Sequence, residues 1–135
     1  MSKLGLGVMI NMLGSNEGTV EAINASIGKK IVSIALVDNS LRFALSDGSN
    51  LSLRDDGQSC CEHRYMSTDD DLSYYVGAEL LGFELKDAPS IGDDEVHEVQ
   101  FLDVRTSKGV FTMSNHNEHN GYYGGFWIVA HREAP

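Results

Sequence analysis

Hydrophobic and polar positions change period several times along this chain. Val20, Ile23 and Ile27 recur at three- and four-residue spacing, which predicts a short helix capped by Thr19. Gly28 ends it, and Lys29 and Lys30 stand where the helix dipole favours cations. The period then falls to two. "IVSIALVDN", "LRFALS" and "NLSLR" read as three strands, separated by the turn residues of "DNS" and "SDGS". Leu41, Phe43 and Leu45 alternate with Arg42, Ala44 and Ser46, and Leu51 and Leu53 alternate with Ser52 and Arg54. Such alternation predicts an antiparallel meander with one buried face.

The middle of the chain is less regular. Asp55-Asp56-Gly57 reads as a turn. Ser67 or Thr68, with Asp70 or Asp71 three residues on, resembles a capping box and predicts a second short helix near Asp69 to Val76, stopped by Gly77. "ELLGFELKD" reads as a strand and "APSIGDDEV" as an acidic loop. "HEVQFLDVRTS" and "GVFTMSN" read as two strands turned at Ser107-Lys108-Gly109, and "GFWIVAHR" as the last strand. The expected architecture is one α+β domain over residues 18–135, mostly antiparallel sheet with two short helices, behind an apolar N-terminal arm over residues 1–17.

Charge and cysteine content narrow the function classes. Twenty acidic residues against 10 Lys+Arg give a net charge of -10, which opposes binding to DNA or RNA polymers. A single small anion held by a local arginine cluster remains compatible with it. Cys60 and Cys61 are adjacent, bridge each other only with strain, and have no other cysteine to pair with, so a reducing cytosol is expected. The start "MSKLGLGVMINMLGS" is too short to span a bilayer and lacks a small-residue cleavage site, so no membrane partner is expected.

One segment stands apart. "SNHNEHNGYYGGF", Ser114 to Phe126, holds three asparagines, two histidines, two tyrosines and three glycines. A polar hairpin connection accounts for the asparagines and glycines, and less well for the tyrosine pair and the histidines. Asparagine amides suit a base edge or ribose hydroxyls, and Tyr122 and Tyr123 offer ring faces. If Phe111 and Met113 share a strand face, Asn115 lies on that face at the strand's end.

Upstream, "CCEHRYM" offers Arg64, which can fork onto phosphate oxygens, and Tyr65, which can stack on a base or ribose. The simpler reading pairs Arg64 with Glu62 or a nearby aspartate. Asp69-Asp70-Asp71 is more simply a set of charges at a helix start than a metal cluster. Cys60, Cys61, His63, His116 and His119 contain zinc-ligand types, but their spacing fits no common structural zinc pattern, and no metal is expected. A Cys-His dyad lacks any accompanying nucleophile elbow or oxyanion turn. No phosphate-cradling or dinucleotide fingerprint is present, so no cofactor is expected.

Taken together, "DDGQSCCEHRYMSTDDDL", "HEVQFLDVRTSKGVFT" and "HNEHNGYYGGF" resemble, in that order, the phage proteins of the first Thoeris anti-defence family, over roughly Ile31 to Arg132. That resemblance implies a non-enzymatic sponge acting in the host cytoplasm. It would bind glycocyclic ADP-ribose, the signal made by bacterial TIR-domain enzymes, and hold it uncleaved. It also implies a second site for cyclic di- or trinucleotides, and assembly into dimers or hexamers with ligand sites near subunit contacts. Carried onto this sequence, it makes Arg64, Tyr65, Asn115, Asn117, Tyr122 and Arg132 ligand-binding candidates, with Phe101 or Phe111 as a stacking ring. The arm has no counterpart in the family. The competing expectations are a metal-dependent phosphodiesterase using His116 and His119, and a phage accessory domain with no small ligand.

Overall fold

The computed structural model describes residues 17–57, 62–87, 96–119 and 126–135. Among them the chain forms one α-helix, α1 (Glu17–Ser26), and eight strands: β1 (Ile31–Val37), β2 (Ser40–Leu45), β3 (Asn50–Asp55), β4 (Glu62–Ser67), β5 (Leu80–Asp87), β6 (Val96–Thr106), β7 (Gly109–His119) and β8 (Ile128–Glu133). A single 3-10 turn over Leu72–Tyr75 lies between β4 and β5. The expected α+β class with mostly antiparallel sheet is the class observed.

The strands make two four-stranded sheets, in the orders β1-β2-β3-β8 and β4-β7-β6-β5, and every strand pairing within them is antiparallel. Their inner faces meet. Leu41, Phe43, Leu45, Leu51, Leu53 and Ala130 from the first sheet share one core with Met66, Leu80, Leu102, Val104, Phe111 and Met113 from the second. Phe43 crosses the gap, edge-on to Phe83 at 5.9 Å and tilted against Phe111 at 6.4 Å. The two-residue turn Asp38-Asn39 joins β1 to β2, with both residues at positive φ as a tight hairpin requires.

The sheets are also tied at their edges. Residues 28–31 run beside 77–80, where Ile31 N–H donates to the Ala78 carbonyl at 2.8 Å and Leu80 N–H to the Lys29 carbonyl at 2.9 Å. Helix α1 lies along the outer edge of β8. The Ala130 N–H, which would otherwise be an unused edge donor, donates to Thr19 Oγ1 at 3.1 Å. Thr19 is therefore the third residue of the helix, 1% exposed, and not its cap. Gly28 ends the helix as expected, at a φ of 88° that favours glycine.

The middle of the chain departs from expectation. The second helix is one 3-10 turn, capped by Asp71, whose carboxylate accepts from Ser73 N–H. Asp70 does not cap; its Oδ2 accepts from Thr112 N–H at 2.8 Å and so anchors β7. Residues 62–67 form a strand, and β7 continues through Ser114 to His119, so half of the polar segment lies in the sheet. The strand read as Gly109–Asn115 thus runs four residues further, and both it and residues 62–67 hid their period for one reason: inward positions carry Asn117 and Arg64 instead of apolar side chains.

The Thr19 hydroxyl is expected to hold the helix on the sheet edge. Thr19→Val should lose about 1–3 kcal/mol in urea unfolding, the range for stranding a buried donor, while Thr19→Ser should lose less.

Candidate functional site

The interior of the sandwich is apolar along most of its length and polar at one end. Along β7 the inward residues are Phe111, Met113, Asn115 and Asn117, all at most 1% exposed. Register extends this division across the second sheet. Met113 pairs with Leu102; Asn115 sits between Met66 and Gln100; Asn117 sits between Arg64 and Glu98. Arg64, Gln100, Asn115 and Asn117 are all buried.

Asp55 closes the cluster from the opposite sheet. It follows Leu51 and Leu53 on the inward face of β3, opposite Ile128. Arg64 Nη1 donates to Asp55 Oδ1 at 2.9 Å and to Oδ2 at 3.0 Å, with the two side chains only 4% and 7% exposed. Oδ1 also accepts from the N–H groups of Gly57, at 2.9 Å, and Trp127, at 3.3 Å. Burial pushes the Asp55 carboxyl above the usual carboxylate range, while the Gly57 N–H and the Arg64 charge oppose that rise. Gly57 lies against the guanidinium so closely that a Cβ there would stand 2.8 Å from Nη1 and 2.9 Å from Cζ. A glycine is needed for this approach, not for a special φ.

Asn115 differs from its neighbours. Neither its Oδ1 nor its Nδ2 has a hydrogen-bond partner among the described residues, and Gln100 Oε1, across the strand pair, likewise has none. A buried amide of this kind calls for a water or a ligand to complete it.

The other expected site residues lie elsewhere. Tyr65 follows Arg64 in the strand and so points to the outer face of the same sheet. There its ring stacks on His116, at 4.4 Å and 4° between planes, with His63 tilted beside it at 4.9 Å. Its hydroxyl donates to Glu118 Oε2 at 2.8 Å, and Ser67 Oγ and His116 Nε2 are hydrogen-bonded at 2.9 Å. Desolvation, followed by Glu118, pushes the Tyr65 phenol above its ordinary value. Phe101 is half-buried and pairs with Ser114, on the face opposite Asn115. Phe111 is a core ring and offers no stacking surface.

Arg132 is opposite Leu51, four residues along β8 from Ile128, which sets it roughly 13 Å from the Asp55 level. Its Nη2 pairs with Asp47 Oδ2 at 3.2 Å. Asp47 is held down to about 2, first by the Ser49 hydroxyl and N–H, with Arg132 adding to the shift. Arg64 and Arg132 therefore mark opposite ends of the interior and cannot share one phosphate within a single copy. Tyr122, Cys60, Cys61 and the side chain of His119 lie outside the described residues. Among the described residues no group of three or more His, Cys, Asp or Glu side chains is placed to hold a metal ion.

Residues 24–129 match the family described as a domain of unknown function, DUF7448. The chain belongs to that family. No curated protein and no solved structure matches it. The DUF7448 region contains Asp55, Arg64, Gln100, Asn115 and Asn117, so the whole polar end falls within it, whereas Arg132 lies beyond its last matched residue.

Two members of this cluster were missed by sequence reasoning. Asp55 reads as a turn residue, yet it extends the inward series Leu51, Leu53 by two. Gln100 extends the inward series Leu102, Val104 in the other direction. A polar residue continuing a buried alternation was the available signal in both.

Asp55→Ala should cost about 3–5 kcal/mol of stability, because it takes the carboxylate from a buried guanidinium. Asp55→Leu combined with Arg64→Met should recover most of that loss in a double-mutant cycle by urea unfolding. On the outer face, ultraviolet titration should place the Tyr65 midpoint above 10, and Glu118→Gln should bring it down. A raised phenol stabilises the fold fully below the unfolded value of about 10, and that contribution is lost as pH rises through the folded value.

Proposed function

We propose that this DUF7448 protein is a phage anti-defence sponge. It binds a cyclic nucleotide immune signal, glycocyclic ADP-ribose, and sequesters it uncleaved in the host cytoplasm, blocking Thoeris-type defence. One observation carries the reading. Arg64 from one motif, and Asn115 and Asn117 from another some fifty residues later, are neighbours on one buried strand face, and both amide atoms of Asn115 await partners.

The chemistry suits retention. A guanidinium fixed by Asp55 is preorganised, so little side-chain entropy is lost when a phosphoryl group approaches it. Asn115 and Gln100 can offer the paired donor and acceptor that a base edge or ribose requires. Tyr65, Phe101 and Arg132 face other parts of the same copy, so in this reading they contribute only when a second copy presents them. That requirement agrees with a homodimer or hexamer whose sites lie near subunit contacts. Cyclic di- or trinucleotides are the expected ligands of a second site.

Isothermal titration with glycocyclic ADP-ribose is expected to show saturable binding, and denaturation of the complex should release the ligand intact. Failure to bind, or recovery of cleaved ligand, overturns the sponge; chelator-sensitive multiple turnover would establish the phosphodiesterase in its place. Arg64→Ala and Asn115→Ala should each weaken binding by about 1–3 kcal/mol, measured on variants that retain the wild-type circular dichroism spectrum.

A further inference from the structure

The outer face of the first sheet holds a feature that the polar end of the core does not use. Ser33, Ala35, Ala44, Asn50 and Ser52 make a floor of short side chains for an open cavity of about 380 Å³, a volume in the small-ligand range. Long charged side chains usually cover such a face; here the charged or basic lining residues are Arg42, Arg54, His131 and Glu133.

These side chains have a definite geometry. Ser52 on β3 pairs with Arg42 on β2 and with His131 on β8, so Arg42 and His131 flank it about 10 Å apart, at two strand spacings. Arg54, two residues beyond Ser52, is diagonal to both, within about 7–8 Å. Three nitrogen-rich side chains thus surround one serine. Arg42 and His131 have no hydrogen-bond or ion-pair partner among the described residues. Arg54 pairs only loosely, with exposed Asp56 at 3.4 Å. Among the described residues Glu133, opposite Asn50, is the one carboxylate lining the cavity. In a chain of net charge -10, two guanidinium groups on one small-residue floor are a local reversal of sign.

We propose that this face binds a small phosphorylated ligand, with phosphoryl oxygens held by Arg42 and Arg54, a further hydrogen bond from His131, and the rest of the molecule lying over the Ala35–Ala44–Ser33 floor. Guanidinium forks match phosphoryl oxygens geometrically, and half-buried Ser52 with exposed Ser33 and Asn50 completes the polar contacts. The site is separated by the whole thickness of the first sheet from Asn115, and it does not depend on the sponge reading.

Inorganic pyrophosphate is the probe. Titrated into the full chain at constant ionic strength, it should give saturable amide chemical-shift changes centred on Arg42, Ser52, Arg54 and His131. Arg42→Gln should raise the apparent Kd at least tenfold with the fold unchanged, and Arg105→Gln, an exposed arginine of the other sheet, should leave it unaltered. Shifts that are absent or scattered over the molecule overturn the proposal, as does an Arg42→Gln isotherm identical to wild type. Sedimentation velocity supplies a second criterion. A change in assembly mass on Arg42→Gln, without a change in pyrophosphate affinity, would assign the face to a second copy of the chain and overturn the ligand site.

Discussion

The buried contact between Asp55 and Arg64 sets the terms for the rest of the molecule. It joins the two sheets at the end where apolar packing stops, and it leaves both charges almost fully out of water. A buried pair of this kind is weak evidence for net stability, because desolvating two charges offsets much of their attraction. Its stronger consequence is geometric. A guanidinium held by both carboxylate oxygens fixes the facing of β4 against β3, while the β4–β7 ladder places Asn117 beside Arg64. Gly57 and the N–H of Trp127 complete the enclosure, so the loop after β3 and the approach to β8 are committed to the same contact.

The polar end is then a departure from the apolar packing of the middle of the core. Phe43, Phe111, Leu102 and their neighbours supply the apolar burial that stabilises the sandwich, while Arg64, Gln100, Asn115 and Asn117 occupy equivalent inward positions further along the same strands. Unsatisfied amides in the interior oppose folding unless something completes them. Proteins retain such groups where binding needs a pocket with donors and acceptors already in place, and this is the physical basis for reading the end as a ligand site.

Each sheet therefore presents chemistry on a different side. The second sheet directs Arg64 and Asn115 inward and the Tyr65–His116 stack outward. The first directs Phe43 and Leu51 inward and Arg42, Ser52 and His131 outward. The two-residue period of a strand makes the sequence neighbours Arg64 and Tyr65 spatial opposites, which is why a motif quoted as one unit divides between two surfaces.

Much of the framework was legible in the residues alone. Alternation in Leu41 to Leu45 and Leu51 to Leu53, the turn at Asp38-Asn39 and the helix stop at Gly28 depend on local sterics and on which side chains avoid water, and these act on the sequence directly. The common face of Phe111, Met113 and Asn115 was legible for the same reason. The strand character of residues 62–67 and 116–119 was not, since a polar residue at an inward position is indistinguishable from one in a loop until its partner is known. Asp55 is that partner for Arg64, and it arrives from the other sheet. Only the tertiary structure decided that Arg64 and Arg132 lie at opposite ends, that Phe111 belongs to the core, and that Thr19 serves a strand edge in place of a helix cap. Each of those outcomes follows from contacts between segments far apart in the chain, which no local pattern encodes.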